Sequence, residues 1–313
     1  MGAFLGVIIA IASSSFGGMA AAVTRYLIGG ADAVTLALLR WGIGFACLLP
    51  IALFMRVRWP KRSDWIAVGV LGAAFFGLFF IFFNIAIGYT TAARASLALS
   101  TLPLQTMVVG ALLGIERLTA RKTAGVAVAM LGVLLALASD VSAAPPGAWR
   151  GELIMTGAVL CMAFYNVWSR PFVERSSALG YLAMGMGAGL VVLIGAGTFT
   201  GSVAVLSAFD LRQWIAAAYL GIGGGAVAFI LWVLALERAS PTLVANTMTV
   251  NPIAAGLLAA ALLDEPITAN LIVGLIAVVA GISIATISGS SLVSRDSVST
   301  PLSAKPMRRR RPT

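Results

Sequence analysis

The sequence predicts an all-α integral membrane protein: ten transmembrane helices, arranged as two inverted five-helix repeats with both termini in the cytoplasm. Three observations predict it. Of 313 residues, 60% are hydrophobic, 10% are charged and none is histidine, whereas soluble domains average about 25% charged residues. The apolar stretches recur at lengths near the ~20 residues that a spanning helix needs. One landmark also occurs twice: Pro103, Glu116 and Thr119 return at a constant offset of 149 as Pro252, Glu265 and Thr268 (252 − 103, 265 − 116, 268 − 119). The same offset, with no gap, pairs Trp65 with Trp214, Gly72 with Gly221, Ala86 with Ala235, Gly125 with Gly274 and Gly132 with Gly281. Shared Gly and Ala are weak signals in so biased a composition. A Trp, a Pro and a Glu in register with them mark an internal duplication.

Cut at charges, prolines and glycine pairs, the chain yields ten spans near residues 3–27, 33–55, 64–87, 92–114, 120–139, 151–171, 178–200, 211–236, 241–263 and 269–289. The first begins without a basic segment and runs apolar to about Ile28, longer than a signal-peptide core, so it reads as a retained span. The longest interior break, Ser139 to Gly147 with Pro145-Pro146, falls between the halves and reads as the linker of the duplication. The expected organisation is a first repeat over 1–139, a linker over 140–150, a second repeat over 151–289 and a disordered basic tail over 290–313. Cys47 and Cys161 lie within apolar runs and off the repeat register, which suits inert small hydrophobes rather than a disulfide.

Lysine and arginine set the orientation. With the N-terminus inside, the cytoplasmic loops and tail hold sixteen of the 21; the outer loops hold Arg25, Arg94, Arg150 and Arg212, and Arg40 lies inside a span. Five is an odd number of spans, so the second copy enters the membrane in the opposite sense. Glu116 then lies at the cytoplasmic face and its counterpart Glu265 at the outer face. Inverted repeats are characteristic of secondary transporters, because two halves that exchange conformations give inward-open and outward-open states. Half of the net charge of +10 comes from the tail beyond Ser290, where Arg295, Lys305 and Arg308 to Arg311 stand against Asp296. That tail suits contact with anionic lipid and argues against nucleic acid as a partner.

The run Tyr89-Thr90-Thr91-Ala92-Ala93-Arg94-Ala95, then Pro103, Gly114-x-Glu116-x-x-Thr119, Gly125 and Gly132, resembles the EamA-type repeat of the drug/metabolite transporter superfamily. The second copy, Ala239-Ser240-Pro241, Pro252, Asp264-Glu265-Pro266-Ile267-Thr268, Gly274 and Gly281, resembles it again, so the likeness covers about 3 to 289. The resemblance implies ten helices, cytoplasmic termini and export or exchange of small metabolites, with a bacterial inner membrane as the location. Among members, the chain looks most similar to amino-acid exporters of the YddG type, associated with aromatic amino acids.

Proline inside a helix removes the N–H that would bond residue i−4. Pro103 therefore frees the carbonyl of Leu99, and Pro252 that of Met248, both near mid-span. In hydrocarbon a free carbonyl costs several kcal/mol and must find a protein, water or substrate partner. Two readings follow: a kink lining a central cavity at matching points of the halves, or a packing kink satisfied by Ser or Thr. Asn251 and Asn246 add polar groups to the ninth span, and Ser100, Thr101, Gln105 and Thr106 to the fourth.

Arg40 is the only charge well inside a span. It is a functional candidate by default, to hold a substrate carboxylate, or else it ties helices together through backbone carbonyls. A second-span arginine is also familiar in the family that the chain resembles, which favours the structural role. All eleven Asp and Glu fall at or beyond span ends. With no histidine either, no intramembrane proton relay, metal cluster, cofactor site or enzymatic nucleophile is expected. Small four-helix antiporters of the same superfamily carry a membrane-embedded Glu in the first helix, where this chain has Ser13-Ser14-Ser15. Glu116 and Glu265 read as helix-end anchors rather than a catalytic pair.

Phe75, Phe76, Phe79, Phe80, Phe82 and Phe83 crowd the third span, densely enough that most are expected to face lipid or pack. Phe79, Phe83 and Ala86 form one stripe suited to the cavity. Tyr165 and Trp168 of the sixth span and Trp232 of the eighth complete the candidate substrate-binding set of Arg40, Phe79, Phe83, Leu99, Pro103, Tyr165, Trp168, Trp232, Met248, Asn251 and Pro252. Interface anchoring is the alternative for Trp and Tyr. The expected function is alternating-access export of a small metabolite, an amino acid first, by facilitated transport or exchange, with spans three, four, eight and nine framing the site and one and six contributing. A proton-coupled exporter of other solutes or drugs, or a channel or receptor, is the alternative. A monomer is compatible with all of these readings.

Overall fold

The computed structural model describes residues 2–99, 101–114, 120, 123–125, 127, 128, 130–132, 145–236, 238 and 247–286. Ser100, Glu116, Thr119, residues 140–144 of the linker, Ala239, Ser240, Pro241, Asn246 and the basic tail lie outside the described residues. Among the described residues every regular element is helical. Seven helices are long and apolar enough to cross a membrane: Phe4–Leu27, Ala33–Phe54, Arg62–Tyr89, Ala92–Leu112, Ala148–Ser169, Ala178–Phe199 and Leu211–Trp232. Three shorter apolar helices, Thr123–Gly132, Thr247–Leu263 and Ile272–Gly281, fall on the fifth, ninth and tenth spans.

Helix starts carry local chemistry suited to a membrane–water boundary. Asp32 accepts from the amides of Val34 (2.8 Å) and Thr35 (3.0 Å) ahead of span two. Asp210 and Gln213 form a reciprocal capping box ahead of span eight, the Gln213 amide donating to Asp210 Oδ1 at 2.7 Å and the Asp210 amide to Gln213 Oε1 at 2.9 Å. Such caps satisfy donors that a helix cannot pair internally.

The third and eighth spans are not regular α-helices. Each carries a π-helical segment, Ala73–Phe79 in one and Ile222–Val227 in the other. Their first residues are 149 apart (222 − 73), so the irregularity was duplicated with the sequence. A π segment widens the turn to i→i+5 bonding and recurs at functional sites. Of the phenylalanines expected to face lipid or pack, Phe75, Phe76, Phe79, Phe80 and Phe83 pack inward, each at most 5% exposed, and Phe82 lies outside at 46%.

Volume is exchanged between the repeats at these segments. Phe76 of the first π segment fills the space over Gly185 and Gly189 of span seven, and a Cβ on Gly189 would collide with it. At the duplicated positions the sizes reverse. Gly225 stands in place of Phe76 (225 − 76) and Arg40 in place of Gly189 (189 − 40), so a large second-span side chain lies over a glycine-rich π segment. Gly72 and Gly185 also bring backbone against backbone, so a Cβ on Gly72 finds no room. Small residues that permit such approach are the ordinary glue of membrane helices.

This packing predicts that Gly189→Val destabilises the fold by about 1–3 kcal/mol, the usual cost of overpacking, read as a lowered Tm of detergent-solubilised protein. Phe76→Ala added to Gly189→Val should recover part of the loss. A double variant no better than the single one would show that Phe76 and Gly189 are not coupled.

Candidate functional site

Both proline-bearing spans begin an α-helix at matching internal places. The fourth consists of Ala92–Leu99 and Leu102–Leu112. The ninth passes from a 3₁₀ turn, Thr247–Val250, into Asn251–Leu263. The restarting residues, Leu102 and Asn251, are 149 apart (251 − 102). The sequence suggests prolines kinking continuous helices. The structure instead places Pro103 and Pro252 second in helices that begin anew, where a missing N–H costs no internal hydrogen bond. At the fourth-span break the Thr101 amide and hydroxyl both donate to Ala98 O (3.1 and 2.7 Å), and the amides of Leu104 and Gln105 return to Thr101 O (each 3.0 Å). Gln105 Nε2 donates to Thr101 Oγ1 at 3.0 Å. The break is thus closed by its own short-range bonds and by a threonine. Leu99 and Met248, the residues expected to hold freed carbonyls, pack half-buried against the main core.

Span one fills the gap beside the ninth-span break. Ser14 Oγ lies 3.0 Å from Thr247 Oγ1, and Ser13 Oγ donates to Ala228 O at 2.7 Å, where the eighth-span π segment ends. Gly18 lies so close to the Asn251 backbone that a Cβ there would collide with it. Asn251 and Pro252 are buried, and Asn251 Oδ1 has no hydrogen-bond partner. Sequence reasoning named Asn251 but took Ser13 and Ser14 only as the place where an acid was missing. The Ser-Ser-Ser run one residue ahead of Gly17-Gly18, inside an apolar span, was the available signal.

Arg40 is buried on span two. Its Nη2 donates to Gly224 O at 2.9 Å, and its guanidinium carbon lies 4.8 Å from the centre of the Phe80 ring and 5.3 Å from that of Trp41. The carbonyl contact that the structural reading required is therefore made. However, Arg40 Nε and Nη1 are buried without partners.

Phe79, Phe83 and Tyr165 join one aromatic cluster spanning five helices. Tyr165 stacks on Phe75 (4.4 Å, 18°), and Trp41 meets Phe76, Phe80 and Phe229 edge-on at 4.8, 4.5 and 5.4 Å. Tyr181 of span seven reaches Tyr165 at 6.1 Å. Offset-stacked and edge-to-face pairs add about 0.5–1.5 kcal/mol each beyond buried area, so the cluster is a rigid block as well as a wall. Trp41 and Phe229 were missed from sequence, although Phe229 is the counterpart of Phe80 (229 − 80). Two candidates do not join them. Trp168 is 49% exposed, on an outward stripe with Leu153, Leu160 and Cys161, at the edge of the face that carries Tyr165. Trp232 packs where Ala235 of its own span meets Ala10 of span one, with Val7 and Ile9, away from the cluster.

The outer ends are tied by charge. Glu265 follows Asp264, whose positive φ (52°) turns the chain sharply off the end of span nine. Its Oε2 accepts from the Ala92 amide at the start of span four (3.0 Å), and its Oε1 lies 3.4 Å from Arg25 Nε of span one. A carboxylate on a helix N-terminus is favoured by the exposed amides and the helix dipole. Arg25 Nη1 continues to the carbonyls of Ile87 (3.1 Å) and Gly88 (2.9 Å), and Arg94 binds Glu152 through Nε (2.8 Å) and Nη2 (2.6 Å). Glu265 is an anchor, as its position suggested. On the opposite side Arg175 meets Asp64 at 3.4 Å, and Ser177 donates to Arg58 O from its amide (2.9 Å) and hydroxyl (3.1 Å).

Duplicated halves, paired helix breaks and acids confined to the ends define a membrane transporter. The chain belongs to the EamA-like transporter family, which it matches twice, over residues 4–138 and 149–287. It is 24% identical over 278 residues to the uncharacterized transporter YyaM of Bacillus subtilis, covering 86% of this chain and 89% of that one. It is 26% identical to a Salmonella typhimurium protein named "probable amino-acid metabolite efflux pump", over 79% of this chain and 84% of the relative. A Streptantibioticus cattleyicolor protein named "probable terminal-alkyne amino-acid exporter" matches at 25% over 59% of this chain and 60% of its own. A solved crystal structure superposes with a TM-score of 0.65 at 20% identity, covering 93% of this chain and 98% of that one, a likeness of fold alone.

Removing the outer anchor should loosen the outer end. Glu265→Ala loses one partly buried ion pair and one helix-cap bond, together worth ~1 kcal/mol, about a fivefold shift in the open population. In a Cys47→Ser, Cys161→Ser background with Ser96→Cys, an impermeant maleimide added outside should label the Glu265→Ala protein about fivefold faster. Equal labelling rates would show that the anchor does not hold this end closed.

Proposed function

We propose that the chain exports small metabolites, amino acids first, by alternating access, as a facilitated or exchange-type carrier of a bacterial inner membrane. The observation that carries this reading is the pair of helix restarts at Leu102 and Asn251, at duplicated positions of opposite halves. Helix starts at matching points inside an inverted repeat are where secondary transporters place their substrates. Two relatives named for the efflux or export of amino acids support the substrate class. The aromatic block behind Tyr165 suits apolar and aromatic side chains. The rest of the moving machinery follows from packing: glycine contacts between spans three and seven permit sliding, and the charged ties at each end can open in turn.

All eleven acids lie at or beyond the spans read from sequence, so no carboxylate is placed to carry a proton through the core. In proteoliposomes the protein should run amino-acid efflux and counterflow down a concentration gradient. Uphill accumulation driven by an imposed pH gradient alone would sink the uncoupled mechanism.

Pro252 offers a second test. As the second residue of its helix it loses no hydrogen bond, so Pro252→Ala should change stability by no more than about 1 kcal/mol. Alanine restores an N–H that lets span nine close into a continuous helix through the break. Transport should therefore fall more than folded yield does. Equal losses of both would reduce the proline to a packing role.

A further inference from the structure

Two buried groups of opposite character lie against span one without partners. Arg40, 5% exposed, uses one nitrogen on Gly224 O and leaves Nε and Nη1 unpaired. Among the described residues no carboxylate pairs with it. Asn251, also 5% exposed, leaves Oδ1 unpaired. Unsatisfied donors and acceptors at this depth each carry a desolvation penalty, largest for a charge.

Span one brings the two together. A Cβ on Gly17 would lie 3.9 Å from both amide atoms of Asn251, and a Cβ on Gly224, 3.8 Å from Arg40 Nη2, would collide with Ala20. Gly17 and Ala20 are three residues apart, so they are neighbours on one side of the helix, separated by about 4.5 Å of rise. Further oxygens sit on the Asn251 side: Thr247 is one turn before Asn251, and its hydroxyl meets that of Ser14 at 3.0 Å. On the Arg40 side the rings of Trp41 and Phe80 hold the guanidinium, and cation–π contact keeps its charge in place without a counter-ion.

We infer that this pair reads the zwitterion of an α-amino acid: Arg40 Nε and Nη1 take the carboxylate, and Asn251 Oδ1, backed by the Ser14 and Thr247 hydroxyls, takes the ammonium. The inference rests on the amino-acid reading above and adds the groups that discriminate. A guanidinium edge matches the two oxygens of a carboxylate, and an ammonium offers three donors and no acceptor. One α-carbon carries both charges, so the assignment requires the unpaired edge of Arg40 and Asn251 Oδ1 to lie within reach of a single amino acid beside the Gly17–Ala20 turn of span one. A substrate lacking either charge leaves one buried group unpaired, a mismatch that costs far more than a missing methylene.

The test compares three compounds in proteoliposomes: whichever of L-phenylalanine, L-leucine and L-threonine the wild type carries fastest, with its matching amine and its matching deaminated acid. Wild-type protein should carry the amino acid at least tenfold faster than either analogue. Arg40→Gln should lower flux of the amino acid and the acid, relative to the amine, by about tenfold or more, the weight of a charge-assisted hydrogen bond. Asn251→Leu should lower the amino acid and the amine relative to the acid. Flux ratios within one preparation do not depend on how much protein folds, and Arg40→Lys, which keeps the charge without the fork, carries the same test should Arg40→Gln not fold. Ratios unchanged in the variants would overturn the zwitterion assignment while leaving amino-acid transport standing. No saturable flux of any of the three amino acids by the wild type would overturn both.

Discussion

A helix interrupted inside hydrocarbon must satisfy its backbone within the protein, because no water is there to do it. That constraint organises this molecule. The fourth-span break at residues 99–101 is closed by Ala98 and Thr101 with bonds of 2.7–3.1 Å. Span one packs against the 3₁₀ turn of span nine, with Ser14 at Thr247, Ser13 at the exit of the eighth-span π segment and Gly18 against the Asn251 backbone. A larger side chain at Gly18 would hold the two spans apart.

The duplication supplies two copies of each irregularity, and the chain then fills them differently. Both copies keep the π segment, and both restart a helix one residue before proline. In the first copy the π segment carries Phe75 and Phe76 and is packed by the glycines of span seven. In the second it carries Gly224 and Gly225 and is packed by Arg40 and Gly44 of span two. Shape is conserved between the halves, while polarity is not. The first half becomes an aromatic block and the second accommodates a buried cation.

Much of this was legible in the sequence. A constant offset, the hydropathy and the lysine–arginine count were enough for ten spans in two opposed copies, since those signals depend only on composition and period. Pro103, Asn251 and Pro252 were legible because they repeat or sit beside a repeated residue. What periodicity could not supply was the π register. Nor could periodicity say that the inward face of span six ends short of Trp168, which is 49% exposed although i+3 keeps it near Tyr165 on the helix surface. Arg40 was visible as a lone charge, but not its carbonyl partner 184 residues away, because such contacts depend on how the halves meet.

The unequal filling bears on the transport cycle. An inverted repeat with identical halves would give inward-open and outward-open states of equal energy, since each half could take the other's conformation. Here the exchange is not neutral. If the second half took the arrangement of the first, Gly224 and Gly225 would have to do the packing of two phenylalanines, and Arg40 would have to sit where Gly189 now admits Phe76. The end states are therefore separated by an energy set by these side chains, and a ligand shifts the balance only by its differential affinity for them. A zwitterion that satisfies Arg40 and Asn251 in one state and not in the other would supply such a difference. The cation that breaks the symmetry of the fold then also couples substrate binding to the direction in which the fold rests.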